Sequence, residues 1–212
     1  MKDRTWLTQL IIQPIMIVLS ILAALAVNNW QESRAKDKRV ADARRAFVNE
    51  ITANKQLLLA DNHLPHHRRL QAEYSKIVTE GAPDSHAFFD TGLHPTPLRD
   101  SAWRMLSGSA TLMDLPAGFV LALTDIYGLQ NSIEKRNEGF VNSLHAPRSD
   151  RESPAYQKDV ANSLRMFLND LVTAEEMLLR SYDHALERFK AEGTSEDEII
   201  ATSPPPSPTP AN

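Results

Sequence analysis

Residues 7–27, LTQLIIQPIMIVLSILAALAV, contain no charged side chain. As a helix this run would be about 31 Å long, which matches a bilayer hydrocarbon core of about 30 Å. A buried core helix of a soluble protein normally keeps a polar face, and this run has none. The sequence therefore predicts a short tail over residues 1–6 and a transmembrane helix over 7–29, with the lipid bilayer as its partner.

Polar and aromatic residues mark both ends of the predicted span. Trp6 and Trp30 would lie about 36 Å apart along a helix. Indole rings favour the headgroup region, because one edge can form hydrogen bonds while the body stays apolar. Asn28 and Asn29 supply a polar exit. We predict that these four residues lie at the membrane interface.

The alternative to a retained span is a cleaved signal peptide. Residues 24–26, Ala-Leu-Ala, have the form of a signal-peptidase site, and Lys2 and Arg4 precede the apolar run. The run is longer than a usual signal-peptide core, however, and basic residues follow it directly. Retention is therefore the favoured interpretation.

Small residues give the span one candidate surface for another helix. Ser20 and Ala24 are spaced four apart, which lets a second helix approach closely. The alternative is that these residues are only tolerated in lipid.

The charges beside the span predict its orientation. Lys2 and Arg4 precede it, and more cations follow it within one helical stretch: Arg34, Lys36, Lys38, Arg39, Arg44 and Arg45. The positive-inside rule then favours a cytoplasmic C-terminal domain at an inner membrane. A lone N-terminal span that acts as a signal anchor would place the domain in the periplasm.

Prolines divide the rest of the chain into intervals with helical periodicity, because proline is excluded from helix interiors. Gly128 and Gly139 each disfavour a helix interior by about 1 kcal/mol, so a break near them is an open alternative. The predicted segments are a rod from the membrane exit to about Asn62, a helix over 65–79, a loop over 80–98, a short helix capped by Asp100 or Ser101 and ended near Gly108, a helix capped by Asp114 with Pro116 in its first turn and running to about Leu144, and a last helix from Pro154 to Gly193.

The last helix carries the clearest pattern. Leu164, Leu171 and Leu178 belong to an apolar stripe in near-heptad steps, and the helix would be about 57 Å long. Such a stripe needs a partner, either other helices of this chain or a second copy, so these leucines are candidate helix-helix contacts. The predicted fold is all-α: the transmembrane helix continues into an antiparallel bundle over 30–193, followed by a disordered proline-rich tail over 194–212.

Composition excludes several kinds of chemistry. The formal net charge of −4 gives no reason to expect nucleic acid as a partner. The chain has no cysteine, which excludes thiolate ligands and cysteine nucleophiles. No phosphate-binding loop, dinucleotide fingerprint or metalloprotease motif occurs. We therefore predict no catalytic residue and no cofactor.

Histidines give the one candidate metal cluster. His63, His66 and His67 surround Pro65, and on a helix three imidazoles could share a face and hold a metal. The arginines that follow would repel a cation. A solvated polar turn is the favoured interpretation, and a metal-dependent enzyme is the less favoured one.

The sequence resembles a group of uncharacterised bacterial single-pass membrane proteins. The resemblance rests on Asn-Asn-Trp-x-Glu at residues 28–32 and on SAWRMLSGSATLMDLPAGFVLALTDIYGL at 101–129. It implies a transmembrane helix followed by a helical domain, and it brings no activity with it. The favoured hypothesis is a membrane-anchored interaction or scaffold module that binds another protein or its own copy. The alternative is a bundle that senses a small molecule in an apolar pocket near Trp103, which otherwise packs in the core.

Overall fold

The computed structural model describes residues 3–80, 92–145 and 154–202, with side chains for residues 14–80, 92–143, 156 and 158–191. Every regular element within these ranges is a helix, which confirms the all-α prediction. The elements are α1 (Asp3–Leu58), α2 (Leu64–Glu80), α3 (Ser101–Leu106), α4 (Ala110–Met113), α5 (Ala117–His145) and α6 (Pro154–Thr202).

Helix α1 joins two different environments without interruption. Its large apolar residues between positions 15 and 27 are each more than half exposed, whereas Phe47, Ile51 and Leu58 are fully buried. Among the described residues, α1 is the one helix whose length and apolar content would allow it to cross a membrane. The predicted rod is therefore confirmed, and it ends at Leu58, four residues earlier than expected.

Helices α1 and α2 follow one another along the same side of α6. Lys55 of α1 pairs with Asp183, and Arg68 of α2 pairs with Glu176 at 2.8 Å. Within α2, Gln71 pairs farther back in α6 with Asn169, so α2 runs antiparallel to α6, and α1 reaches α6 nearer its C-terminal end, at Asp183. Two helices in series thus supply the long partner that the stripe on α6 requires.

Helix α5 covers another side of α6 and is also antiparallel to it. The rings of Phe119 and Phe189 stack with centroids 3.7 Å apart, and those of Phe140 and Phe167 stack at 4.0 Å. Since Phe119 faces Phe189 and Phe140 faces Phe167, the two helices run in opposite directions. The bundle therefore contains α1, α5 and α6 near the exposed apolar run of α1, and α2, α5 and α6 farther along.

The leucines of the α6 stripe lie inside this bundle. Leu164 and Leu171 are each 1% exposed and Leu178 is fully buried. Leu164 packs with Leu70 and Tyr74 of α2, whereas Leu171 and Leu178 belong to the larger core built on α1 and α5. Burying a large apolar side chain stabilises a fold by about 1.5–3 kcal/mol, so this stripe helps to hold the domain together. The helices that these three leucines contact belong to the same chain.

Helix α6 extends farther than its sequence pattern predicted. It continues through Gly193 to Thr202, so the predicted end at Gly193 was wrong, and residues 194–202 are helical. A single glycine disfavours a helix by only about 1 kcal/mol, which neighbouring turns can offset. The stronger signal is Pro204, because proline disfavours the helical conformation at the residue before it. Residues 203–212 lie outside the described part of the chain.

The start of α5 also differs from the prediction. Asp114 does not cap it, because α5 begins at Ala117 and the Asp114 carboxylate pairs with Lys36 of α1 at 2.8 Å. A one-turn helix, α4, precedes this point and was not predicted. Gly128 and Gly139 lie within α5 without breaking it.

Two glycines, Gly128 in a helix and Gly92 at positive φ, test how backbone conformation affects the stability of the fold. Gly128 is exposed on α5, and a Cβ placed there would meet nothing within 4 Å. We expect Gly128→Ala to raise the free energy of unfolding by about 0.5–1 kcal/mol, because alanine loses less entropy in a helix. Gly92 instead has φ +69°, so Gly92→Ala should lower it by about 1–2 kcal/mol. Denaturant unfolding of both full-length variants measures these values, and a loss at Gly128 would contradict the account.

Candidate functional site: a buried polar layer and the adjoining groove

Residues 92–100 have neither helix nor strand, and they cross the bundle where α1 ends and α2 begins. The loop predicted over 80–98 is thereby confirmed for 92–98, whereas Glu80 still belongs to α2 and 81–91 lie outside the described residues. A segment without regular structure has no regular hydrogen-bond pattern of its own, so most of its backbone groups need partners elsewhere. Side chains of α1 and α2 supply those partners.

His67 is the centre of this layer. Its Nε2 lies 3.0 Å from the backbone oxygen of His94, and its Nδ1 lies 2.9 Å and 3.0 Å from the two carboxylate oxygens of Glu175. The Thr96 hydroxyl donates to the same carboxylate at 3.3 Å. His67 is fully buried and Glu175 is 1% exposed. Three parts of the chain, α2, α6 and the segment 92–100, therefore meet at one polar contact.

The hydrogen bonds define how protons are held at this contact. A backbone carbonyl only accepts, so Nε2 of His67 carries a hydrogen. Nδ1 faces the two oxygens of the Glu175 carboxylate. Each polar atom of the pair therefore has a partner. Such satisfaction is what allows a titratable pair to be buried.

This arrangement overturns the interpretation of the histidines as a solvated turn. His63 is 5% exposed and His67 is fully buried, and only His66 is partly exposed. His66 Nε2 lies 3.0 Å from the backbone oxygen of Gly92. The compensating carboxylate, Glu175, comes 108 residues later in the chain, which is why local sequence gave no sign of burial.

The histidines do not form a metal centre in the described part of the chain, where no three His, Asp or Glu side chains are grouped to hold an ion. Both ring nitrogens of His67 already face hydrogen-bond acceptors. A nitrogen that donates a hydrogen bond has no lone pair free for a metal.

Asn54 and Glu50 of α1 bind the next part of the segment. The Asn54 amide donates to the Arg99 carbonyl at 2.7 Å and accepts from the Arg99 N–H at 2.8 Å. Glu50 accepts from the Ser101 hydroxyl at 2.7 Å and from the Ala102 N–H at 2.8 Å. Its other carboxylate oxygen accepts from the Tyr127 hydroxyl at 2.6 Å.

Glu50 therefore caps α3 from another helix. The predicted cap residue, Asp100, makes no side-chain cap hydrogen bond. Its carboxylate pairs with Arg104 one turn later at 2.9 Å. A carboxylate at a helix N-terminus stabilises unpaired N–H groups and complements the helix dipole. Glu50, from α1, thus takes the capping role that was predicted for Asp100.

Two buried tyrosines remain neutral in this layer. Burial, and then the hydrogen bond to Glu50, raise the pKa of Tyr127 above its usual range. Burial likewise raises the pKa of Tyr182, whose hydroxyl accepts from the Gln130 amide at 2.7 Å. Both phenols therefore act as hydrogen-bonding groups and not as acids near neutral pH.

A groove of about 980 Å³ lies between the segment 95–104 and helix α5. Trp103 lines it and stacks on Tyr127, with centroids 5.0 Å apart and planes 15° apart. Trp103 thus packs partly against the core, as predicted, and it also borders this groove. The expected apolar pocket was wrong, because polar and charged side chains make up much of the lining.

The predicted interface residues that have described side chains are exposed in α1. Asn28, Asn29 and Trp30 lie just past the apolar run, and the Arg34 guanidinium lies 4.3 Å from the Trp30 ring centroid. Trp6 belongs to α1, but its side chain is outside the described set. Ser20 is also exposed, and its hydroxyl donates to the Met16 carbonyl at 2.8 Å.

The residues that organise the layer were not predicted from the sequence. Glu50 and Asn54 lie one turn apart between buried Phe47 and Leu58, and Glu175 lies between Leu171 and Leu178. A polar residue within an apolar stripe is a signal of a buried hydrogen-bonding group. That signal was present in the sequence, although it names no partner.

Comparison with known proteins assigns no family to the chain. No protein-family model matches it, and no curated protein or solved structure does so either. The resemblance to bacterial single-pass membrane proteins therefore stays a prediction, and function has to be argued from geometry.

The Glu50 contacts predict that two substitutions, Glu50→Ala and Tyr127→Phe, lower the free energy of unfolding by different amounts. Glu50→Ala would leave the Ala102 N–H and the Tyr127 hydroxyl buried without an acceptor, so we expect a loss of about 3 kcal/mol in unfolding free energy. Tyr127→Phe removes one donor and leaves the carboxylate with its other partners, so the loss should be about 1–2 kcal/mol. Denaturant unfolding compares the two. Equal losses would contradict the proposed cap.

His63 predicts an acid-dependent loss of stability. Burial lowers its pKa from 6.5, and the nearby His67 and His94 lower it too, against the raising effect of the His94 carbonyl and Glu175. The unfolded chain then binds more protons below pH 6.5 than the folded chain does, so unfolding free energy should fall as the pH falls through that value. His63→Leu should reduce this slope, as measured by unfolding at several pH values. An unchanged slope would show that His63 is not responsible.

Proposed function

We propose that this chain is a single-pass membrane protein whose helical bundle serves as an interaction or scaffold module without catalytic activity. One observation carries the proposal: the exposed apolar residues and the buried core residues Phe47 and Ile51 belong to one uninterrupted helix, α1. Exposed apolar side chains over residues 15–27 are unfavourable in water and favourable in lipid. A bundle built on the same helix would then be held close to the membrane surface.

The boundary residues support this role. Asn28, Asn29 and Trp30 would lie at the headgroup level if the apolar run crosses the bilayer. Arg34, stacked on Trp30 at 4.3 Å, adds a cation at the same height. Aromatic and basic side chains at this position are typical of residues that fix a helix in the interface.

Self-association is proposed through the span and not through the leucine stripe of α6. Leu164, Leu171 and Leu178 are buried in their own bundle, so they are not free to bind a second copy. Ser20 and Ala24 are exposed on α1. The Ser20 hydroxyl is satisfied within its own helix, which leaves a small, hydrogen-bonded surface that suits close helix packing.

A matched pair of substitutions tests this contact. Ala24→Leu should lower the association constant in membranes by about tenfold, because a larger side chain separates the helices. Ala26→Leu is the control, since Ala26 lies about 200° further round the helix. Cross-linking in native membranes, followed by denaturing electrophoresis, measures the dimer fraction. A wild-type chain that is trapped only as monomer would count against self-association.

The proposed side for the bundle is the cytoplasm, from the excess of cations after the span. Because the chain has no cysteine, one introduced by Ala72→Cys on the exposed face of α2 would be the sole thiol. An impermeant thiol reagent should label it only after cells are opened. Labelling in intact cells would put the bundle outside and reverse this part of the proposal.

A further inference from the structure

The turn around α4 lies nearer to the exposed apolar run of α1 than the elements on either side of it. Helix α3 begins beside Glu50. Farther along the chain, Asp114 pairs with Lys36 at 2.8 Å. The chain then turns back along α5, where Phe119 packs against Phe47 with ring centroids 6.2 Å apart. Between α3 and α5 the chain therefore descends along α1 towards the apolar run and rises again, with its lowest point near Asp114.

The core holds this turn, residues 110–117, in one position; we call these residues the α4 tip. Leu115 is 5% exposed, and Leu112 packs partly against the same core cluster. Asp114 is the one charged residue between positions 105 and 124, and it is paired with Lys36. The α4 tip is therefore fixed beside α1 and carries no unpaired charge.

The surface that the α4 tip presents is apolar. Ala110, Met113, Pro116 and Ala117 are all exposed. Met113 is 89% exposed, the largest fraction among the large apolar side chains that the structure describes. An exposed apolar tip on a packed bundle is unfavourable in water and favourable at a lipid interface.

The height of the α4 tip matches a membrane surface. Lys36 lies six positions after Trp30, about 9 Å farther along α1. The headgroup layer is about 5–8 Å thick on each side of the hydrocarbon core. Spans tilt by about 20° on average and by up to about 40°, which lowers an element packed about 10 Å from the α1 axis by about 3–6 Å when the tilt is towards it. In a membrane crossed by the apolar run, the tip would then reach the headgroup layer beside Trp30.

Charge favours a lipid surface as the occupant. Residues 31–45 of α1, the stretch that Asp114 contacts through Lys36, carry six cationic and three acidic side chains. A net positive stretch beside an apolar tip is typical of surfaces that bind membranes with anionic headgroups. The two features occur together at the height of the headgroups, and this favours lipid over a second copy of the chain.

We propose that the α4 tip rests in the headgroup layer of the membrane, with Met113 inserted at its surface, as a second membrane contact besides the span. The inference rests on the proposed membrane anchor and adds to it a tilt of α1 towards α4. A bundle held at two places cannot rotate about the axis of α1, so it presents a constant face to a partner protein.

Lipid-quenched fluorescence of the full chain in liposomes of phosphatidylcholine and phosphatidylglycerol tests the proposal. The chain has no cysteine, so Met113→Cys can carry a single fluorescent label. Lipids with a nitroxide on the headgroup should quench this label about threefold more than a label at Met166→Cys. Met166 is also exposed, at 63%, but it lies on the part of α6 that packs against α2, beyond the end of α1. Equal quenching at the two positions would overturn the proposal.

A third label separates this inference from the membrane anchor on which it rests. Leu22 lies in the exposed apolar run, and lipids with a nitroxide deep in the acyl chain should quench a label at Leu22→Cys. A quenched Leu22 label with an unquenched Met113 label would refute the α4 contact and leave the anchor intact. An unquenched Leu22 label would refute both.

A charge at the tip tests the role of Met113 itself. Met113→Asp should reduce headgroup quenching of a label at Ala110→Cys by about threefold, because a carboxylate resists transfer into lipid. Met166→Asp is the matched control and should leave that quenching unchanged, while circular dichroism should show the same helix content in every variant. Undiminished quenching in the Met113→Asp chain would contradict insertion of this side chain.

The protein-to-lipid ratio distinguishes lipid from a second copy of the chain. Quenching of the Met113 label by lipid should not change with this ratio. If lipid did not quench the label, and the label became shielded from water as the ratio rose, the α4 tip would be a contact between two copies, and the lipid assignment would be wrong.

Discussion

Helix α1 presents two kinds of surface along a single axis, an exposed apolar run and a face buried in the bundle, and the rest of the molecule depends on how the two are joined. Because a helix pairs its own backbone groups, the same backbone can be stable both in lipid and in a water-soluble bundle. Only the side chains need to change, and they do so between the exposed apolar run that ends at Val27 and the buried residues that begin at Ala43. The charged stretch between them is exposed on all sides until Val40. An unbroken helix of this kind transmits orientation, so a fixed span would also fix the bundle.

A second constraint on the bundle lies at the junction of α1 and α2. Helix α6 is too long for either partner alone, and the two partners in series leave a gap between Leu58 and Leu64. Residues 92–100 cross at this level and bring backbone groups that need hydrogen bonds. His67 and Asn54 supply them directly, Glu175 holds the His67 ring, and Glu50 binds the first turn of α3 that follows the segment. Satisfied polar groups of this kind favour one register of the helices over others, because a shift of one turn would leave each of them unpaired.

Much of the fold follows from the sequence, whereas the site follows from it only in part. The apolar run, the proline boundaries and the leucine stripe predict the four long helices, because their signals are local. The end of α6 was misjudged because a glycine is a weak stop when the turns around it favour helix. The partner of the leucine stripe, the cap of α3 by Glu50 and the burial of His67 could not be predicted, since each depends on a residue more than fifty positions away. The polar residues within the apolar stripes of α1 and α6 did indicate that hydrogen-bonding groups are buried there.

The most direct test of the central claim is a spin-label scan of single cysteines introduced between residues 15 and 46, in a chain reconstituted into liposomes; the native sequence has no cysteine to interfere. If α1 crosses the bilayer and enters the bundle as one helix, labels up to Val27 should be accessible to oxygen and shielded from a water-soluble relaxing agent. The pattern should reverse at Asn28 to Trp30, and motion should remain restricted through to Ala43. Labels within residues 15–27 that are open to the aqueous agent, or a freely mobile stretch between the exit and Ala43, would contradict the claim.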